Sequence, residues 1–306
     1  MRSLEGKRVL LTGASSGVGL AAARAYAAAG ADVALLARGT EGLEVAAQGV
    51  RERGRRAVVL PVDVADREAL EAAVERAAGE LGGLDVLALN HAVTVFGPFD
   101  QVPAADFDRV IAVTFTGAVD TVRAALPHLE RAHGQIVWTG SIMSRLPLPT
   151  FSSYAAAKHG MRGFLNTLRA ELRAQRRPVT ISMVHPGAID TPVWKHTRSA
   201  TGRALRFPPE GYTAETIADA LVDCTRRPRR EMIIGGEAKL IAWSFERVRP
   251  LGELALDLVY HWYMAGRRPP EPDPGALWQA GSGGETKGGL LVGRPSLMAR
   301  LRLRSR

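Results

Sequence analysis

The segment Thr12-Gly13-Ala14-Ser15-Ser16-Gly17-Val18-Gly19 follows an apolar run at residues 9–11 and opens an alanine-rich stretch at 18–29. Three glycines let a backbone turn tightly and approach a pyrophosphate without Cβ collisions. The first N–H groups of a helix starting there, and the positive end of its dipole, would face the anion. Such a turn can equally do no more than join a strand to a helix, so its surroundings decide. They repeat the same alternation. Short apolar runs at 32–37, 58–62, 86–89, 136–139 and 180–185 read, with 9–11, as strands buried in a parallel sheet. Residues 18–29, 40–53, 66–81, 104–131 and 153–175 are each long enough for a helix. A further helix at 213–226 leads to a seventh candidate strand at 231–235. This alternation specifies a doubly wound α/β sheet with right-handed crossovers.

The chain has 306 residues, 46% of them hydrophobic and 23% charged, which fits a globular protein and excludes a disordered or fibrous one. The net charge is +9, and residues 285–306 carry six Lys or Arg against one Glu. More than half of the excess thus lies in a Gly-rich tail, which argues against a basic nucleic-acid groove in the fold. A solvated tail, or one touching anionic lipid, suits it better. Cys224 is the single cysteine, so no intramolecular disulfide forms, and no Cys/His spacing suggests a metal site. A reducing compartment, the cytoplasm, is expected. Residues 1–8 run into the first strand without a signal-peptide layout, and no uncharged stretch reaches the roughly 18 apolar residues of a spanning helix. After Gly236 the pattern changes: 240–265 is helix-like but interrupted by Pro250, and 267–274 and 281–289 are rich in Pro and Gly. We divide the chain into residues 1–236, one domain, and 237–306, an extension. The extension covers a substrate cleft, docks on a partner or touches a membrane; a packing helix with a frayed tail is the plainer alternative.

Further candidates stand at strand ends. The second strand ends Ala37-Arg38 without the acidic residue that accepts from adenosine ribose hydroxyls, and Arg38 can pair with a 2′-phosphate. This favours NADP(H) over NAD(H); a solvated Arg is the alternative. Asp63-Val64 can meet an adenine edge, or Asp63 can cap the helix after it. Tyr154 and Lys158 are four apart, so on a helix they share one face. A phenol active at neutral pH must titrate about 4 kcal/mol below its free value of ~10, which a neighbouring ammonium and a cationic nicotinamide can supply. Ser141, just past the fifth strand, can donate to a carbonyl oxygen where charge develops. After the sixth strand, Pro186-Gly187 forces a turn, and the Ile189 backbone with the Thr191 hydroxyl can hold a carboxamide.

Together these motifs resemble the short-chain dehydrogenase/reductase family over about residues 5–236. The resemblance implies a single Rossmann-like domain around a seven-stranded parallel sheet. It implies a cofactor site using Gly13, Ser15, Ser16, Gly17, Val18, Gly19, Arg38, Asp63, Val64, Asn90, Tyr154, Lys158, Pro186, Gly187, Ile189 and Thr191. Tyr154 would be the acid/base, Lys158 would lower its pKa and bind the nicotinamide ribose, and Ser141 would polarise the substrate carbonyl. Family members assemble as homodimers or homotetramers through the helices after the fourth and fifth strands. Two positions depart from the pattern. Asn90-His91-Ala92-Val93 replaces Asn-Asn-Ala-Gly, and Thr114 stands where the family's helical Asn anchors a water next to Lys158. Thr114 has a hydroxyl but no amide, so the proton relay is rerouted or weakened. His91 is either a spare proton carrier or a neutral, hydrogen-bonded residue at a strand end. The expected activity is NADP(H)-dependent hydride transfer between a secondary alcohol and a ketone. Trp194, Phe207, Pro208 and Pro209 would fold over an apolar or bulky substrate. A dinucleotide-binding sensor or scaffold with little catalysis is the alternative, supported by Thr114 and His91.

Overall fold

β1 (Arg8–Thr12) sends Val9 and Leu11 into the apolar layer on one face of a sheet and Leu10 into the layer on the other. A strand with both faces covered must be apolar throughout, which is why its sequence does not alternate. The computed structural model describes residues 3–206, 211–236, 243, 245, 247–266, 275–281 and 283–289. In chain order β1 is followed by α1 (Gly17–Ala28), β2 (Asp32–Ala37), α2 (Thr40–Arg51), β3 (Ala57–Pro61), α3 (Arg67–Leu81) and β4 (Val86–Leu89). Then come α4 (Ala104–Ile111), α5 (Gly117–Arg131), β5 (Gln135–Thr139), α6 (Ser152–Ala174), β6 (Thr180–Pro186), α7 (Ala214–Arg226), β7 (Met232–Ile234) and α8 (Arg249–Met264).

The seven strands lie in the order β3-β2-β1-β4-β5-β6-β7, all parallel. Leu20 and Tyr26 of α1, Leu43 of α2 and Ile217 of α7 fill one face; Leu70 of α3, Val122 of α5 and Leu165 of α6 fill the other. Burying each such side chain contributes about 1.5–3 kcal/mol. The strand order reverses between β1 and β4, and there a crevice opens at the carboxyl ends of the strands.

α4 and α5 join through one π-helical turn, Ala112–Thr116, into a single helix from Ala104 to Arg131. It is long and apolar enough to cross a membrane by length and composition, yet half of its most apolar stretch is buried in the fold. The apolar side faces the sheet. The interruption expected at Pro250 is present: residues 243, 245 and 247 are helical, Val248 is not, and a new helix begins just before Pro250. Pro250 stands in the first turn of α8, where its missing N–H leaves nothing unpaired. Two short parallel ladders were not foreseen: Val95–Phe96 with Arg198–Ser199, and Ile189–Asp190 with Tyr212–Thr213. They tie the loop after β6 to the carboxyl end of the sheet. Within the extension, residues 275–281 and 283–289 are not frayed: they return to the crevice and bury Leu277.

Candidate active site

The glycine turn is built by close packing. A Cβ on Gly19 would lie 1.9 Å from the Gly13 carbonyl oxygen, and one on Gly13 would lie 2.8 Å from the His91 backbone. Gly13 also has a φ of 67°, which side-chain-bearing residues rarely adopt. Asn90 braces the turn: its Nδ2 donates to the Gly13 carbonyl at 3.2 Å, and its backbone N–H donates to Thr12 Oγ1 at 3.0 Å. His91 Nδ1 meets the same hydroxyl at 2.7 Å. Burial first, and then the Lys158 charge, push the imidazole down to about 4. A neutral, hydrogen-bonded His91 is therefore the arrangement found. A cradle that any Cβ would fill, opening onto the start of α1, fits a pyrophosphate.

At the other end of the groove, Arg38 and Asp63 face each other across the tips of β2 and β3. Burial lowers the Arg38 pKa, while Asp63 opposes that effect. Asp63 accepts from the Ala65 backbone N–H at 3.0 Å and pairs with Arg109 of α4. The cap of α3 is Asp66, which accepts from Ala69 N–H at 3.1 Å, so Asp63 is free of that role. Burial raises the Asp63 carboxyl, but the Ala65 and Arg109 hydrogen bonds outweigh it and hold its pKa below the usual range. Sequence reasoning missed Arg109. Nothing in the pattern of α4 separates it from the chain's many other arginines.

Ser141, Tyr154 and Lys158 converge beside the groove. Lys158 Nζ lies 5.5 Å from the centre of the Tyr154 ring, and the Ser141 hydroxyl is hydrogen-bonded to the phenol. Lys158 is buried and donates to the Thr139 carbonyl at the end of β5, at 3.0 Å. Burial drives the amine down to about 7 and the phenol up to about 12, against which only the Ser141 hydrogen bond pulls. The protein's own groups thus do not make the phenol acidic. A desolvated ammonium loses the charge that was expected to do so.

Thr114 does not reach this cluster. In the π-helical turn its hydroxyl accepts from Val93 N–H at 3.0 Å and donates to the Val93 carbonyl at 3.1 Å. It therefore fixes the loop after β4, and the Thr139 carbonyl is the partner Lys158 has instead. Behind Ser141 lies a second buried chain. Ser144 Oγ donates to the Ser141 carbonyl and meets His185 Nδ1 at 2.7 Å. Burial pushes His185 to about 4, although Glu231, held by Arg145 and Arg162, lies 3.7 Å from its Nε2. This network braces the Ser141 loop, and Ser144 and His185 gave no local sequence signal for it.

Gly13, Asp63, Val93, Tyr154, Lys158 and Thr191 all line one cavity of about 260 Å³. Ser15, Ser16, Gly17, Val18, Arg38, Val64, Asn90 and Ile189 border it as well. Pro186 ends β6, and Gly187 donates its N–H to the Ile234 carbonyl at 3.0 Å, outside that lining. The Ile189 carbonyl accepts from Trp194 Nε1 at 2.7 Å rather than standing open. Trp194 joins Phe96, Phe151 and Tyr263 of α8 in an apolar cluster that also packs on Tyr154. Phe207, Pro208 and Pro209 lie outside the described residues.

The family model for short-chain dehydrogenases matches residues 7–202. An uncharacterised oxidoreductase of Bacillus subtilis is 31% identical over 94% of this chain and 82% of its own length. A hydroxysteroid 11-beta-dehydrogenase 1-like protein of Xenopus tropicalis is 36% identical over 75% of this chain and 79% of its own. Among solved structures, a Burkholderia cenocepacia short-chain dehydrogenase in complex with NADP superposes with a TM-score of 0.69 at 32% identity, covering 78% of this chain and all of that one. One from Mycobacterium paratuberculosis, bound to NAD, gives 0.68 at 26%, covering 76% and 97%. The fold and site define an oxidoreductase of the alcohol dehydrogenase type. The chain belongs to the short-chain dehydrogenase family.

Proposed function

We propose that the protein is an NADP(H)-dependent oxidoreductase that moves a hydride between nicotinamide and a secondary alcohol or ketone, with Tyr154 as acid/base. The observation that carries this is that Tyr154 and Lys158 both line the cavity that begins at the glycine turn, with Lys158 Nζ 5.5 Å from the Tyr154 ring centre and the Ser141 side chain hydrogen-bonded to the phenol. When bound, the dinucleotide supplies the hydride and, in its oxidised form, a positive charge next to the phenol. The other work falls to the chain. Ser141 donates to the substrate oxygen and Tyr154 gives or takes its proton. Lys158, near 7, can hold or release a proton at neutral pH while its Nζ donates a hydrogen bond to the Thr139 carbonyl.

Arg38 at the tip of β2, with Arg109 on the same side of the groove, supports the 2′-phosphate preference. The aromatic cluster of Phe96, Phe151, Trp194 and Tyr263 next to Tyr154 supports an apolar alcohol or ketone. We place the enzyme in a reducing compartment such as the cytoplasm, as a homodimer or homotetramer built through α5 and α6. The test is incubation with NADPH deuterated at nicotinamide C4 and a panel of apolar ketones. Deuterium on the carbinol carbon of the product is expected. NADPH binding with no label transferred to any ketone would leave the sensor or scaffold reading in its place.

A further inference from the structure

Three donors in the groove suited to an anion are all taken by carbonyl oxygens of the chain's own extension. Arg38 donates to the carbonyls of Leu277, at 3.1 Å, and of Ala276. Arg109 Nε donates to the Leu277 carbonyl at 3.2 Å. The Gly17 N–H, at the start of α1, donates to the Glu285 carbonyl at 2.8 Å. Four more contacts hold the same stretch. Ala276 N–H donates to the His196 carbonyl at 2.8 Å, and Gly284 N–H to the Ser15 carbonyl at 2.9 Å. Trp278 Nε1 donates to Asp106 of α4 at 2.8 Å, and the Arg109 guanidinium lies 5.5 Å from the Trp278 ring. Leu277 is only 1% exposed, and it lines the same cavity as Gly13 and Lys158.

A carbonyl oxygen carries a partial charge, whereas a phosphate carries a full one and hydrogen-bonds a guanidinium about twice as strongly. The carbonyls hold the site through proximity, because they are tethered to it. We infer that residues 275–281 and 283–289 are a latch on the adenosine end of the groove, released when a 2′-phosphate takes Arg38 and Arg109 from the Ala276 and Leu277 carbonyls. The inference rests on the NADP(H) reading above and adds to it a selection step. A dinucleotide without the 2′-phosphate can compete for the Gly17 N–H but offers those guanidiniums nothing in exchange, so residues 276 and 277 stay closed against it. Closure lowers the apparent affinity of every ligand by the fraction of molecules that are open.

The test uses amide hydrogen exchange on the full-length protein, with 2′,5′-ADP and 5′-ADP as probes. Saturating 2′,5′-ADP speeds exchange of the Ala276 amide, next to the carbonyls held by Arg38 and Arg109, while 5′-ADP leaves it unchanged. Slower or unaltered exchange with 2′,5′-ADP bound, or equal effects of the two probes, overturns the latch while leaving the cofactor preference standing. Trp278→Ala removes the Asp106 hydrogen bond and the ring under Arg109. It tightens 2′,5′-ADP binding by about three- to tenfold as the open fraction rises. Unchanged or weaker binding, in a variant whose unfolding midpoint is retained, overturns the proposal as well. If calorimetry shows that 2′,5′-ADP binds neither protein, the 2′-phosphate reading fails and the latch fails with it.

Discussion

Lys158→Met gives the most quantitative test of the site. The amine is buried and titrates near 7 in the fold, against ~10.4 in an unfolded chain. A folded pKa below the unfolded one means that protonation favours the unfolded chain. Stability is therefore lost as pH falls from about 10.4 toward 7 and levels off below that. Linkage puts the penalty at about 2 kcal/mol at pH 9 and about 5 kcal/mol at pH 6, a difference near 3 kcal/mol. Methionine fills the same space without a titrating group. The change in strength of the hydrogen bond to the Thr139 carbonyl between amine and ammonium is already contained in the shifted pKa, and the contributions of all other ionising residues are common to both proteins and cancel in the comparison. Urea unfolding at pH 6 and pH 9 reads the difference: with a slope of about 3 kcal/mol per molar, the wild-type midpoint should fall by about 1 M more than the variant's. Turnover of the variant should be lost at both. Parallel pH dependence in the two proteins would refute the claim that the lysine reaches Tyr154 as a desolvated, easily neutralised amine.

Three other perturbations probe separate parts of the groove. Gly19→Ala places a Cβ 1.9 Å from the Gly13 carbonyl, so NADPH affinity measured by fluorescence titration should fall at least about tenfold, or ~1.4 kcal/mol. Thr114→Val leaves the Val93 N–H and carbonyl without their partner, and urea unfolding should show a loss of about 2–4 kcal/mol. His91, held near 4 by burial, should show a flat ring-proton NMR shift between about pH 5.5 and 8, where a free histidine titrates.

The sheet was legible because burial on both faces forces β1, β2 and β4 to be apolar runs, and runs of that length separated by helices have few other solutions. The glycine turn was legible because Gly13 and Gly19 are required by contacts that no Cβ survives. Tyr154 and Lys158 were legible through helical spacing. Their electrostatics were not, since spacing reports proximity but says nothing of the desolvation that moves the two pKa values apart. Thr114 was misleading for a similar reason: its position in the helix was clear, but its bonds go to Val93, a contact set by the loop after β4. The latch was hidden because its bonds to Arg38, Arg109 and Gly17 come from backbone carbonyls, which every residue possesses.

The sharpest trial of the proton-transfer assignment compares wild type with Tyr154→Phe, measuring NADPH affinity and single-turnover hydride transfer to one ketone in the same samples. Binding should stay within about twofold while transfer slows by roughly 10²–10⁴, the usual worth of a positioned acid. A variant that transfers hydride at the wild-type rate would contradict the assignment.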